Sequence, residues 1–189
     1  MGTLPHDVHV FGVVGSPRKR GNTSDLVEAV LKGARSVGAE THKLYIKDLK
    51  INPCHACDYC RTQGKCFHVD DMAKVFEYMA QSKVWVLGTP VYWWGPTAQM
   101  KAMIDRWYGC VDSLKELGDR KVILTIPFAD ATEKTAEHTV GILKESLDFL
   151  GKEITDVILA PSVDKPGELR NNQDVLQRAF EAGKRAAMN

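Results

Sequence analysis

Charge of one sign is what this 189-residue sequence most clearly lacks. Lys plus Arg number 25 and Asp plus Glu 24, a formal net charge of +1. That balance does not offer the positive surface that nucleic acid or an anionic membrane requires. Long apolar runs are missing too. The longest are strand-sized, far short of the ~20 residues of a membrane-spanning helix. The opening "MGTLPHDVHVFGVVGS" has no basic segment followed by an apolar run, so no secretory signal is read. His6 stands where a myristoylation signal needs Ser or Thr. These absences predict a cytoplasmic protein with neither membrane nor nucleic-acid partners. No repeat, low-complexity segment or linker divides the chain, so one domain is expected over residues 1–189. G-x-G-x-x-G is absent, and no G-K-[ST] marks a P-loop. No Ser-His-Asp set or carboxylate pair stands out, so no catalytic side chain is named.

What is present alternates between short apolar runs and helical stripes. Strands are predicted over residues 8–14, 41–46, 83–90, 121–127 and 153–161. Helices are predicted after the first strand from about Thr23, then over residues 70–81, 97–111, 131–151 and 172–188. The strands beginning at Val8, Lys83 and Lys121 are almost continuously apolar, as expected where helices cover both faces of a sheet. The fold class is therefore α/β. A five-stranded, doubly wound parallel sheet in the order 2-1-3-4-5 is expected, because crossovers are right-handed.

Two loops at the carboxyl edge of that sheet carry chemistry. The first, "VVGSPRKRGNTSDL", runs from strand to helix. Backbone N–H groups at a helix start have no partner within the helix and point outward with the positive end of its dipole, which suits a phosphate. Ser16, Asn22, Thr23 and Ser24 add short donors, and Arg18 adds charge. Helix capping alone would account for one of these residues, not the set. The second loop, "TPVYWWGPTAQMK", holds Tyr92, Trp93 and Trp94 in succession between Pro90–Val91 and Gly95. Consecutive residues cannot all face one core. A flat aromatic cofactor or a partner subunit would suit such a surface.

"GSPRKRGNTS", "TPVYWWGPTAQMKAMIDR" and "DDM" after a cysteine segment together resemble the NADPH-dependent FMN reductase family, in its iron–sulfur flavoprotein branch. The resemblance covers roughly residues 8–161. It implies a flavodoxin-like fold. FMN would place its phosphate on Ser16, Arg18, Asn22, Thr23 and Ser24, and its ring along Pro90, Val91, Tyr92, Trp93, Trp94 and Gly95. It also implies an NAD(P)H donor, a small-molecule acceptor such as a quinone or a ferredoxin partner, and a homodimer or homotetramer. Relatives often carry a glycine-rich turn after the fourth strand. Here that turn reads "IPFADATEKT", and no site residue is assigned to it.

Four of the five cysteines crowd into "CHACDYCRTQGKC", as Cys54, Cys57, Cys60 and Cys66, inside an insertion at about residues 47–69. A disulfide set is disfavoured in a reducing compartment. A redox C-x-x-C pair usually opens a helix, whereas this one follows Pro53 in a loop. Three cysteines at x2 spacing can wrap one corner of a [4Fe–4S] cluster, with a fourth closing it. Zinc more often uses two separated knuckles, although His55 and His68 offer further donors. The readings rank as cluster, then empty thiols, then zinc. Cys110 is read as a small buried hydrophobe.

Overall fold

The computed structural model describes residues 9–188. The expected strand start at Val8 and the signal-peptide and myristoylation readings of the first residues lie outside them. Five strands form one sheet: β1 (Val10–Val14), β2 (Thr41–Tyr45), β3 (Val84–Gly88), β4 (Lys121–Pro127) and β5 (Glu153–Ala160). All pair in parallel, in the order β2-β1-β3-β4-β5. That is the doubly wound, flavodoxin-like order the pattern predicts. Val10 stands level with Thr41 on one side and Val84 on the other, so the strands end together at one edge. The three central strands are buried almost throughout, which explains their unbroken apolar runs.

Alternate residues on each strand serve opposite faces. Phe11, Val13, Trp85 and Leu87 pack against α3 (Met72–Gln81), α4 (Ala98–Asp105) and α6 (Glu137–Phe149). Val10, Val14, Val84 and Val86 pack against α1 (Asn22–Arg35) and α7 (Gln173–Met188). The α1–α7 seam is unusually close. A Cβ on Gly33 would lie 1.8 Å from the Phe180 carbonyl oxygen, and one on Gly183 would lie 1.9 Å from that of Val30. Only glycine lets the two backbones touch.

Element ends differ from the sequence expectation where side chains act over a distance. The helix expected over 97–111 is α4, then a 3-10 turn over Arg106–Cys110, then α5 (Val111–Glu116). The cysteine segment, read as a loop, contains one short helix, α2 (Tyr59–Gln63). The acidic start of α3 is not a simple cap. Asp70 accepts the Met72 N–H, while Asp71 accepts the Lys50 N–H across the neck of the cysteine loop.

Candidate functional site

The carboxyl ends of β1 and β3 are tied to one another before any ligand is considered. The Gly15 N–H donates to the Gly88 carbonyl at 2.7 Å. The Thr97 hydroxyl donates to the Gly15 carbonyl at 2.6 Å and accepts the Met100 N–H, so the residue that caps α4 also fixes the first loop. Thr89 in turn accepts the Thr97 N–H at 3.1 Å. Above this joint lies a pocket with about 450 Å³ of open space, part of it shared with solvent. Four loops line it. Ser16, Arg18, Gly21, Asn22 and Thr23 follow β1, and Pro90, Val91 and Tyr92 follow β3. Pro127, Phe128 and Ala129 lie where β4 ends, and Val163 and Asp164 follow β5.

Seven of the eleven residues expected at a flavin therefore share one pocket, while Ser24, Trp93, Trp94 and Gly95 do not line it. Side-chain roles differ more than the sequence suggested. Asn22 donates to the Lys165 carbonyl at 3.0 Å, and its amide oxygen accepts the N–H groups of Gly167 and Leu169. Asn22 thus binds the loop after β5 and leaves its own backbone N–H for a ligand. Ser24 shares a 2.7 Å hydrogen bond with the Tyr45 hydroxyl. Arg18 donates to the Asp164 carbonyl at 2.7 Å, and Ser16 accepts the Arg18 N–H. The residue before α1 is Gly21, with no side-chain cap, so the first-turn N–H groups stay open toward the pocket. The walls from β4 and β5 were not assigned from sequence. Their signal was positional, because every loop at this edge of such a sheet borders the ligand site.

The aromatic loop is a two-residue hairpin. Tyr92 and Gly95 exchange backbone hydrogen bonds of 2.8 and 3.0 Å. Between them Trp93 and Trp94 hold φ values of +49° and +60°. Positive φ at both central positions is the type I′ geometry that ordinarily selects Asn-Gly. Trp93 is 91% exposed and Trp94 54%. Thr139 donates to the Trp94 carbonyl and holds the turn against the start of α6.

The second site lies beside α4's other end. Cys54, Cys57, Cys60 and Cys66 line a single pocket with His55, His68, Arg106 and Tyr108. A Cβ on Gly109 would lie 3.7 Å from that of Cys60 and 3.9 Å from that of Cys66, so these two cysteines close on the 3-10 turn after α4. The neck of the loop is pinned by Asp70. Its carboxylate accepts from Asn52 N–H and from the Arg106 fork, at 2.6 and 3.1 Å. Burial pushes the Asp70 carboxyl up, but Arg106 and the N–H groups of Asn52 and Met72 outweigh it and hold the pKa at about 2. The fifth cysteine, Cys110, is separate. Burial pushes its thiol well above the usual range, against the opposing pull of the Arg106 charge. The sequence reads it as a small buried hydrophobe; it is half-buried, packed against the edge of the core.

Among the described residues, no three His, Cys, Asp or Glu side chains converge as a single metal ion requires. Four thiols around one pocket are nevertheless a soft donor set. A polynuclear cluster brings its own irons and sulfides, so its protein ligands stand farther apart than those of one ion. The donor chemistry of the four thiols is the kind such a group takes.

The profile of the NADPH-dependent FMN reductase family matches residues 8–155. The chain belongs to this family. An iron–sulfur flavoprotein of Methanocaldococcus jannaschii is 39% identical over 97 residues, covering 51% of this chain and 50% of that protein. One from Archaeoglobus fulgidus is 42% identical over 106 residues, covering 55% and 48%. The chain thus spans about half the length of the curated relatives it matches. An NAD(P)H:quinone oxidoreductase from Methanothermobacter marburgensis superposes with a TM-score of 0.74 at 19% identity, covering 94% and 95% of the two chains, a likeness of fold.

For an FMN reductase family member, the four-loop pocket has the right chemistry. Open helix N–H groups suit a phosphate. Pro90, Val91, Pro127 and Phe128 give the pocket apolar walls. No helix among the described residues is long and apolar enough to cross a membrane.

Proposed function

We propose that the protein is an FMN-dependent NAD(P)H oxidoreductase that passes electrons to a [4Fe–4S] cluster on Cys54, Cys57, Cys60 and Cys66, to a small acceptor such as a quinone, or to both. The observation that carries the reading is the closure of four carboxyl-edge loops around the uncapped start of α1. Bound FMN supplies hydride and single-electron chemistry; the chain supplies placement and exclusion of water. The first turn of α1, with Ser16 and Arg18, holds the phosphate end. Pro90 to Tyr92 and Pro127 to Ala129 hold the ring end. The Asn22 and Arg18 contacts keep the loop after β5 closed over both. Arg106 and Asp70 hold the cysteine loop beside α4, which joins the two sites. The protein works in the cytoplasm as a single FMN-binding domain with a cysteine insertion at about residues 47–69, assembled as a homodimer or homotetramer.

The test is anaerobic. Flavin-loaded protein should lose its visible flavin absorbance on addition of NADH or NADPH, and purified protein should carry about four irons and four sulfides per chain. Failure of both nicotinamides to bleach bound flavin would count against the reductase. Exposure of Cys54, Cys57 and Phe67 favours a second reading, in which the cysteine loop faces a partner and the protein relays electrons from a ferredoxin. Reduction much faster by ferredoxin than by nicotinamides would select it.

A further inference from the structure

The cysteine pocket has one buried charge in its wall that the proposed reaction does not use. The Arg106 side chain is 3% exposed and its partner Asp70 is fully buried. His55 and Asp58, on the same pocket, are exposed. The guanidinium spends two nitrogens on Asp70 and one of the same nitrogens on the Asn52 carbonyl, at 2.9 Å. Its Nε is buried with no hydrogen-bond partner among the described residues. A buried donor left open is costly unless something accepts from it.

We propose that Arg106 sets the electron affinity of the cysteine site, holding a fixed positive charge against Cys66 that Asp70 only partly offsets. The inference rests on the cluster reading of the four cysteines. Arg106 lines the same pocket as the four cysteines, and Cys66 closes on the 3-10 turn that Arg106 begins. Asp70 pairs with Arg106 and does not line that pocket, so the guanidinium is the member of the pair that faces the thiols. Four thiolates give a ligated cluster net negative charge, and accepting one electron adds a further unit without making or breaking a bond. In a low-dielectric wall, a nearby cation favours the more negative state, so Arg106 raises the reduction potential. Asp70, on the far side, lowers it by less.

The experiment is a dithionite titration of the reconstituted, full-length protein, followed by cluster absorbance and electron paramagnetic resonance, with iron and sulfide assayed on each sample. Four proteins are compared: wild type, Asp70→Asn, Arg106→Gln, and the double variant. The expected order of midpoints, highest first, is Asp70→Asn, wild type, double variant, Arg106→Gln. For Arg106→Gln the reduced-to-oxidised ratio at a fixed potential falls about tenfold, ~59 mV for a one-electron couple. A role limited to pinning the loop predicts loss of iron in every variant and no ordered series. The Gln–Asn pair of the double variant keeps a neutral clasp and removes both charges. If Arg106→Gln does not fold, the double variant decides, and a midpoint at or above wild type overturns the proposal. Loaded variants that titrate with wild type overturn it while leaving the cluster reading intact. A wild type that takes up no iron and sulfide overturns both.

Discussion

The four-loop pocket and the cysteine pocket meet the two ends of α4 and are held in different ways. The first is an extension of the sheet. Its loops leave strands that end together, and backbone bonds such as Gly15 to Gly88 continue the pairing of β1 with β3 into the loops. Its side-chain ties at Asn22 and Thr97 are neutral hydrogen bonds, and the cationic tie, from Arg18 to the Asp164 carbonyl, uses a group that stays charged in acid. The cysteine pocket hangs outside the sheet on a segment of mostly exposed residues, held at its neck by a buried ion pair. A site grown from the sheet inherits the stability of the core. A site on an appended loop must carry its own fastening, and a charged one makes it sensitive to acid.

The sharpest way to break the comparison is to remove one site and look for the other. Cys60→Ala with Cys66→Ala should reduce bound iron and sulfide to under about a tenth of wild type, because metal affinity depends on every thiolate. Flavin content, measured by fluorescence after heat release, should stay unchanged. Loss of flavin together with iron would mean that the pockets fold as one unit.

Acid should separate the fastenings next. Asp70 is depressed in the folded state to about 2 from an ordinary value of 3.8. A depressed carboxylate stabilises the fold fully above its unfolded pKa and loses that contribution as pH falls through the folded value. The pair is thus worth about 2 kcal/mol above pH ~5, fading toward pH 2. Denaturant melts of the iron-free protein between pH 5 and pH 2 should show that slope in wild type and lack it in Asp70→Asn. Equal slopes would remove Asp70 as its source.

Much of the first site was legible in the sequence, and little of the second site's fastening was. Strand runs such as "VFGVV" and "VWVLG" show their burial directly, and the strand order follows from crossover handedness. Arg106 gives no such signal. It ends an amphipathic helix where a solvated arginine is ordinary, and its partner lies 36 residues earlier. Asn22 misleads for the same reason. Its composition and place read as a phosphate ligand, yet its side chain serves residues 143 to 147 positions later. Periodicity reports local faces; it does not report which polar groups meet across the fold.

Asn22 gives the third prediction. Asn22→Ala strands the N–H groups of Gly167 and Leu169 and frees the wall that follows β5. FMN affinity should fall several-fold, about 1 kcal/mol, in an equilibrium titration. Iron content should not change, since among the described residues no hydrogen bond ties this loop to the cysteine neck. A matching loss of iron would erase the distinction between the two fastenings.

The smallest expected effect probes Trp93, which lines neither pocket. Trp93 holds a left-handed backbone, which costs a non-glycine residue roughly 1–2 kcal/mol. At 91% exposure its ring gains almost nothing from packing within the chain. Glycine adopts the same φ freely but gives back part of that gain, because it makes the unfolded chain freer and so loses more entropy on folding. Trp93→Gly should therefore raise the unfolding free energy of the dilute protein by about 0.5 kcal/mol. If the ring is instead covered by a second subunit, the same change must weaken assembly, and stability at high protein concentration must fall. Melts at two concentrations separate these outcomes. A gain at both would place the strained tryptophan outside any subunit contact and leave ligand contact as its remaining use; a loss confined to the higher concentration would put it in the interface.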